Sequence, residues 1–256
     1  MIWAREGHST ETLSEFFEQL TNEQRESINL VTGDGARWIK TCVEKYCPNA
    51  ERCIDPFHVI EWAMQSLDKV RTEVWQKAFR KVRTEKKRSR GRPKKGEEKK
   101  TSAAQQIKGA KYSLGKAPEN LTENQKVKLE MISKSQPELY RAYMLKEKLR
   151  LIFHMKAENE EQLEEIKTEL DSWRGWAWRS RIKPFVELQN KIRRHYDAIL
   201  ATMKYRLSNA RIEATNNKIK LSIRMAYGFR NMDNMLAMIM LRCSNIEVAL
   251  PRLDAA

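Results

Sequence analysis

Ile28-Asn29-Leu30-Val31-Thr32-Gly33-Asp34-Gly35 sets the class of fold. The first five residues are a short, mostly apolar run rich in β-branched side chains, and Gly33-Asp34-Gly35 closes it as a tight turn, so the segment predicts a buried strand. Residues 36–46 then carry Trp38, Ile39, Cys42 and Val43 at helical spacing until Pro48-Asn49 interrupts them. A second short strand is expected over residues 51–54, ending at Asp55-Pro56. Strand, helix and strand in that order imply a parallel α/β sheet, in which ligands collect at the carboxyl ends of the strands. Asp34 and Asp55 each stand at such an end. Upstream, residues 1–5 read as a further short strand. Thr10 reads as the cap of a helix bearing Leu13, Phe16, Phe17 and Leu20, and Thr21 with Gln24 as a capping box.

From Phe57 onward the periodicity is helical. Val59, Trp62, Ala63, Leu67 and Val70 mark a helix extending to about Arg83. Residues 80–100 hold twelve Lys or Arg against three Glu, around Arg90-Gly91-Arg92-Pro93-Lys94-Lys95. Glycine, proline and dense charge predict an exposed loop. Arg90-Gly91-Arg92-Pro93 is also similar to an AT-hook core, an arm that enters the narrow, strongly negative minor groove, and both readings stand. Thr122 with Gln125 and Ser135 with Glu138 are capping-box candidates, and Pro137 suits a first helical turn. Leu139, Tyr143, Leu145, Leu149, Ile152 and Phe153 predict an amphipathic helix. Another is expected over about 160–170, then Trp173, Trp176 and Trp178, then a helix from Pro184 to about Met203.

The 256 residues suffice for one large domain or two small ones, and the net charge of +15 favours a polyanionic partner, because each Lys or Arg set against a phosphate releases counterions. No apolar run is long enough to cross a membrane, and the first residues lack the layout of a signal peptide. Cys42, Cys47, Cys53 and Cys243 form no CxxC pair, which suits reduced thiols in a cytoplasmic protein.

Three carboxylates are candidates for chemistry. Asp34 reads either as a strand-end acid or as an ordinary turn aspartate, and Asp55 either as a ligand or as the N-cap of the next helix. Glu213, in a helix capped by Ser208 or Asn209, shares a face with Asn216, Asn217 and Lys220 by i, i+3, i+4 and i+7 spacing. That polar, partly basic face suits metal and phosphate chemistry, or is simply solvated.

Residues 205–242, above all Ser208-Asn209-Ala210-Arg211-Ile212-Glu213-Ala214-Thr215-Asn216-Asn217-Lys218-Ile219-Lys220 and Arg224-Met225-Ala226-Tyr227-Gly228-Phe229-Arg230-Asn231, resemble the closing segment of bacterial DDE transposases, specifically the ISL-three insertion-sequence family. Asp55-Pro56-Phe57-His58-Val59 resembles that family's second signature, and Val31-Thr32-Gly33-Asp34 its second acidic strand. The three motifs stand in the family's order and span nearly the whole chain.

The resemblance implies an α/β fold, a ribonuclease-H-like core lacking its first strands, with a large all-helical insertion and mostly α content. Residues 1–58 would be the partial core, 59–204 the insertion with its basic loop at 80–100, and 205–256 the helices completing the core. It implies Mg2+-dependent DNA strand cleavage and transfer in insertion-sequence transposition, with two Mg2+ ions on Asp34 and Glu213, 179 residues apart, and Asp55 as the alternative ligand. Partners would be DNA, as transposon ends and target, in a homo-oligomeric complex at the nucleoid, with no membrane. Arg90, Arg92, Lys94, Lys95, His58, Asn216, Asn217, Lys220 and Arg224 are the expected DNA contacts. The family's first catalytic acid has no counterpart here, so the expectation is a chain truncated at its amino end and inactive alone. The alternative is a non-catalytic DNA-binding remnant, with aromatic and basic residues interleaved around 173–181.

Overall fold

Helix α1 (Thr10–Glu18) starts where Ser9 Oγ accepts from the Thr12 amide at 3.2 Å, so the cap is Ser9 and Thr10 is the first helical residue. Short α2 (Asn22–Glu26) opens on the expected capping box, in which Thr21 and Gln24 satisfy each other's amides. Strands β1 (Leu30–Gly33) and β2 (Glu51–Ile54) pair in parallel around α3 (Arg37–Tyr46), and the Glu51 amide donates to the Asn29 carbonyl at 2.9 Å. The computed structural model describes residues 3–33, 35–85, 102–205 and 210–244, with backbone only at 82–85 and 210–213. Among these the fold is mostly helical and the sheet has two strands. Residues 3–5 form no strand: Trp3 packs on Phe16 at 5.6 Å and Arg5 pairs with Glu15 at 3.1 Å, so the segment lies against a helix instead of a sheet.

The chain divides into two compact units, Met1–Cys53 with Leu207–Ala256, and Ile54–Arg206. In the first, α1 packs on α3 through Phe17, Cys42, Val43, Tyr46 and Cys47, with Phe17 and Tyr46 stacked at 5.5 Å. Arg52 of β2 donates to the Ala36 carbonyl at 3.1 Å, tying the strand to the start of α3. The four cysteines form no disulfide.

The second unit begins with α4 (Pro56–Glu85) and continues through α5 (Ala103–Gly109), α6 (Lys111–Gly115), α7 (Glu123–Ser135), α8 (Pro137–His154), α9 (Glu160–Arg179), α10 (Lys183–Arg194) and α11 (Tyr196–Tyr205). Its core draws Val59, Leu67 and Val74 from α4, Leu139, Leu145 and Leu149 from α8, Leu170 and Trp173 from α9, and Phe185 and Ile192 from α10. Pro137 takes the first position of α8, as expected, but Ser135 caps nothing: it ends α7, and its hydroxyl donates back to the Met131 carbonyl at 2.7 Å. The helix expected to end near 170 runs on through the tryptophans to Arg179, because Ile166, Leu170, Trp173 and Ala177 continue one buried stripe. The single helix expected from Pro184 to Met203 is two. His195 leaves helical geometry (ψ 18°) and its ring packs on Trp62, 5.8 Å between centroids.

Helix α8 buries the expected Leu139, Tyr143, Leu145, Leu149 and Ile152, while Arg141, Met144 and Leu151 on its other side are exposed. Ala142, Lys146 and Glu147 are buried with them, on the side of α8 that meets α4, α7 and α9. Lys146 and Glu147 are 1% and 5% exposed and bond to each other. Glu147 Oε2 also accepts from Arg150 Nε at 2.8 Å, and Arg150 grips Glu119 with both terminal nitrogens at 2.9 and 3.0 Å. Burial pushes the Lys146 ammonium below its ordinary pKa, and the Glu147 carboxylate opposes that shift. The indole of Trp173 donates to the Leu145 carbonyl at 2.8 Å, locking α9 on α8.

Removing one member of such a buried network strands the others. Glu147→Ala is expected to lower unfolding free energy by ~3–5 kcal/mol in urea titrations, while Lys146→Met with Glu147→Leu recovers most of that loss. Equal destabilisation by the single and double variants would refute this account of the cluster.

Candidate functional site

Asp34 comes directly after Gly33, the last residue of β1, and lies outside the described residues. On its amino side is a half-buried strand end, and on its carboxyl side the bend at Gly35 leads into α3. Glu213 belongs to α12 (Ala210–Met225), where its backbone is described and its side chain is not. From Ala214 on, the outward face of α12 is defined. Asn216, Asn217, Lys220 and Arg224 are all exposed, and their spacing puts them on the face that the helical repeat assigns to position 213. Beneath, Ser222 is buried and accepts from Arg242 of α13 (Met232–Cys243) at 3.1 Å, while Ile239 is the buried apolar residue of α13. The turn between the two helices closes with the Gly228 amide on the Ile223 carbonyl at 3.0 Å. Tyr227 there is fully exposed in a left-handed conformation (φ 52°) and Gly228 comes next at φ 92°.

Asp55 is 6% exposed. Its Oδ1 accepts from the Phe57 amide at 3.1 Å and its carbonyl from the His58 amide at 3.1 Å, which is the N-cap of α4. The carbonyl just before it, on Ile54, receives the Thr202 hydroxyl of α11 at 2.7 Å. His58 is part-exposed and its Nδ1 lies 3.3 Å from Glu61 Oε2, one helical turn on. Arg90, Arg92, Lys94 and Lys95 lie outside the described residues. Among the described residues no three His, Cys, Asp or Glu side chains gather as metal ligands, and the side chains of Asp34 and Glu213 are not in that set.

A second polar surface sits where α9 ends. Trp173 points into the core, but Trp178 is 60% exposed, and Arg179, Arg181 and Lys183 beside it are exposed too. Ser180 shapes the turn: its hydroxyl donates to the Ala177 carbonyl at 2.7 Å and accepts from the Ile182 amide at 3.2 Å. Arg181 then adopts φ 57°, a conformation costing a non-glycine residue about 1–2 kcal/mol, at a position where glycine is the common choice. Gly175 costs α9 a further ~1 kcal/mol relative to alanine. A Cβ there would lie 3.2 Å from Arg179 Nη1, so the guanidinium rests over bare helix backbone. The interleaving of aromatic and basic residues over 173–181 does not by itself separate the tryptophans. Extending the stripe 166, 170, 173, 177 puts Trp178 off it.

These features define a class: a basic, largely helical chain with a short βαβ element, a polar late helix and exposed aromatic and basic residues. A family model described as "Transposase", for DDE transposases of the ISL-three type, matches residues 1–239. The chain belongs to the ISL-three family of DDE transposases. It is 44% identical over 253 residues to the transposase for insertion sequence element IS1557 in two strains of Mycobacterium tuberculosis, covering 98% of this chain and 56% of the relative. It is 26% identical over 238 residues to the transposase for insertion sequence element IS1001 of Bordetella parapertussis, covering 91% of this chain and 52% of that protein. The chain thus spans about half the length of the curated relatives it matches. No solved structure matches. No helix among the described residues is long and apolar enough to cross a membrane.

The Asp55 geometry carries its own test. Asp55→Asn, which keeps the capping oxygen, is expected to hold stability within about 0.5 kcal/mol, and Asp55→Ala to lose ~1 kcal/mol in denaturant titrations. Equal losses from both would show that the carboxylate charge, not the cap, matters at this position.

Proposed function

We propose that this chain supplies Asp34 and Glu213 to a DDE-type active site that cuts and joins DNA at insertion-sequence ends. The observation that carries the reading is the exposed face of α12, where Asn216, Asn217, Lys220 and Arg224 continue the helical row of Glu213 in a chain of this family. Membership of residues 1–53 and 207–256 in one compact unit supports a core of 1–58 and 205–256, ribonuclease-H-like, with 59–204 inserted between its halves.

The donor chemistry fits the metal that the family implies. Asp34 and Glu213 offer hard carboxylate oxygens, which Mg2+ prefers to thiolate or imidazole, and Asp55 is already occupied as a helix cap. When bound, Mg2+ would supply a polarised water or 3′-hydroxyl and charge stabilisation at the leaving oxygen. The protein's own groups do the rest. Lys220 and Arg224 neutralise backbone phosphates, and Asn216 and Asn217 donate to phosphate oxygens without adding charge. The loop bearing Arg90, Arg92, Lys94 and Lys95 adds affinity that falls steeply with salt. Oligomeric assembly on paired ends belongs to the same reading.

Asp34→Asn and Glu213→Gln, each made in the transposase as it is produced in the cell, are expected to lower transposition of a marked element at least about 100-fold. Retention of DNA by each variant should stay within about twofold. Calorimetric titration with Mn2+ should show binding weakened in both. Undiminished transposition or Mn2+ binding would contradict the assignment and favour a non-catalytic DNA-binding role.

A further inference from the structure

We propose that the α9–α10 turn is a binding site for one unpaired nucleotide of DNA, with the base stacked on Trp178 and the adjacent phosphates held by Arg179 and Arg181. The inference rests on the DNA-processing reading above and names a contact within it. Trp178, Arg179, Arg181 and Val186 line an open hollow of about 530 Å3, within the ~300–1,000 Å3 range of small-ligand sites. An indole 60% exposed beside guanidinium groups offers a flat stacking surface and phosphate donors together.

The turn is built to present these groups. Arg181 occupies a left-handed position that glycine would fill without strain, and Gly175 leaves the space in which the Arg179 guanidinium lies. Ser180 fixes the backbone between them with two hydrogen bonds. No acidic residue occurs between Asp171 and Glu187, and Asp171 is held by Arg174 at 2.7 Å. Every charged residue from 172 to 186 is therefore basic, and exposed Glu187 follows directly after Val186. A second copy of the chain is a poor occupant, since each carries a net charge of +15. A fully paired duplex is poor as well, because its base faces are covered by their neighbours. An unpaired or flipped nucleotide exposes the face that Trp178 can meet.

The test compares the full chain with Trp178→Ala, Trp178→Phe and Arg181→Gly by fluorescence anisotropy. Three labelled DNAs serve as probes: a single strand, its fully paired duplex, and that duplex with one bulged nucleotide. Trp178→Ala should weaken the single-stranded and bulged probes about tenfold and leave the paired duplex within about twofold. Trp178→Phe should restore most of the loss. Arg181→Gly keeps the turn and should reduce the salt slope on the single strand by about 0.7. Thermal melting should be unchanged for Trp178→Ala, as that side chain is largely solvated. Equal weakening of all three probes, or no weakening of any, overturns the proposal while leaving duplex recognition standing. Failure of the unaltered chain to bind any of the probes overturns both readings.

Discussion

Burying charged residues on the inner face of α8 is the constraint that shapes the helical unit. A helix with Lys146, Glu147 and Arg150 in consecutive turns cannot enter a core unless its charges are matched there, since an unpaired buried ion costs several kcal/mol. The match comes from within the row and from one distant residue: Glu147 takes Lys146 and Arg150, and Arg150 reaches Glu119 in the turn before α7. With the charges closed on one another, the apolar side chains around them are free to meet α4, α7 and α9, and Trp173 adds its indole bond to the Leu145 carbonyl. The network thereby fixes which way α8 faces and hence where α9 lies.

The position of α9 in turn decides what its last turn shows to solvent. Trp173 and Ala177 look inward on the stripe that α8 covers, so Trp178 must look outward, and Ser180 and Arg181 then reverse the chain into α10 without hiding it. The turn after α9 thus exposes Trp178 together with Arg179, Arg181 and Lys183. The other unit uses different means. Two four-residue strands joined through α3, with an aromatic core of Phe17 and Tyr46, bring the chain to Gly33, and a separate pair of helices carries the polar row of α12.

Local signals announced much of this. Strand β1 was legible because a β-branched run ends abruptly at Gly33, β2 because Pro48-Asn49 and Asp55-Pro56 bracket a short segment, and α2 and α7 because each opens on a capping box. Asp55 was legible as a cap for the same reason, since proline after it forbids helical geometry. What stayed hidden depends on distant partners. Nothing in the local sequence marks Lys146, Glu147 and Arg150 as a network, because Arg150 closes it on Glu119, far off in sequence. Nor does anything local mark the break at His195, where the ring meets Trp62 of a distant helix. Asp34 and Glu213 became candidates through the order of three motifs, because spacing alone does not separate a metal ligand from a turn aspartate or a solvated glutamate.

Two carboxylates so far apart in sequence serve one chemistry only if they converge, and an anomalous scatterer reports convergence without assuming it. A crystal grown with Mn2+ is predicted to show an anomalous peak bonded by both Asp34 and Glu213. Carboxylates that point into unrelated regions, more than about 10 Å apart with no shared ion, would contradict a shared active site.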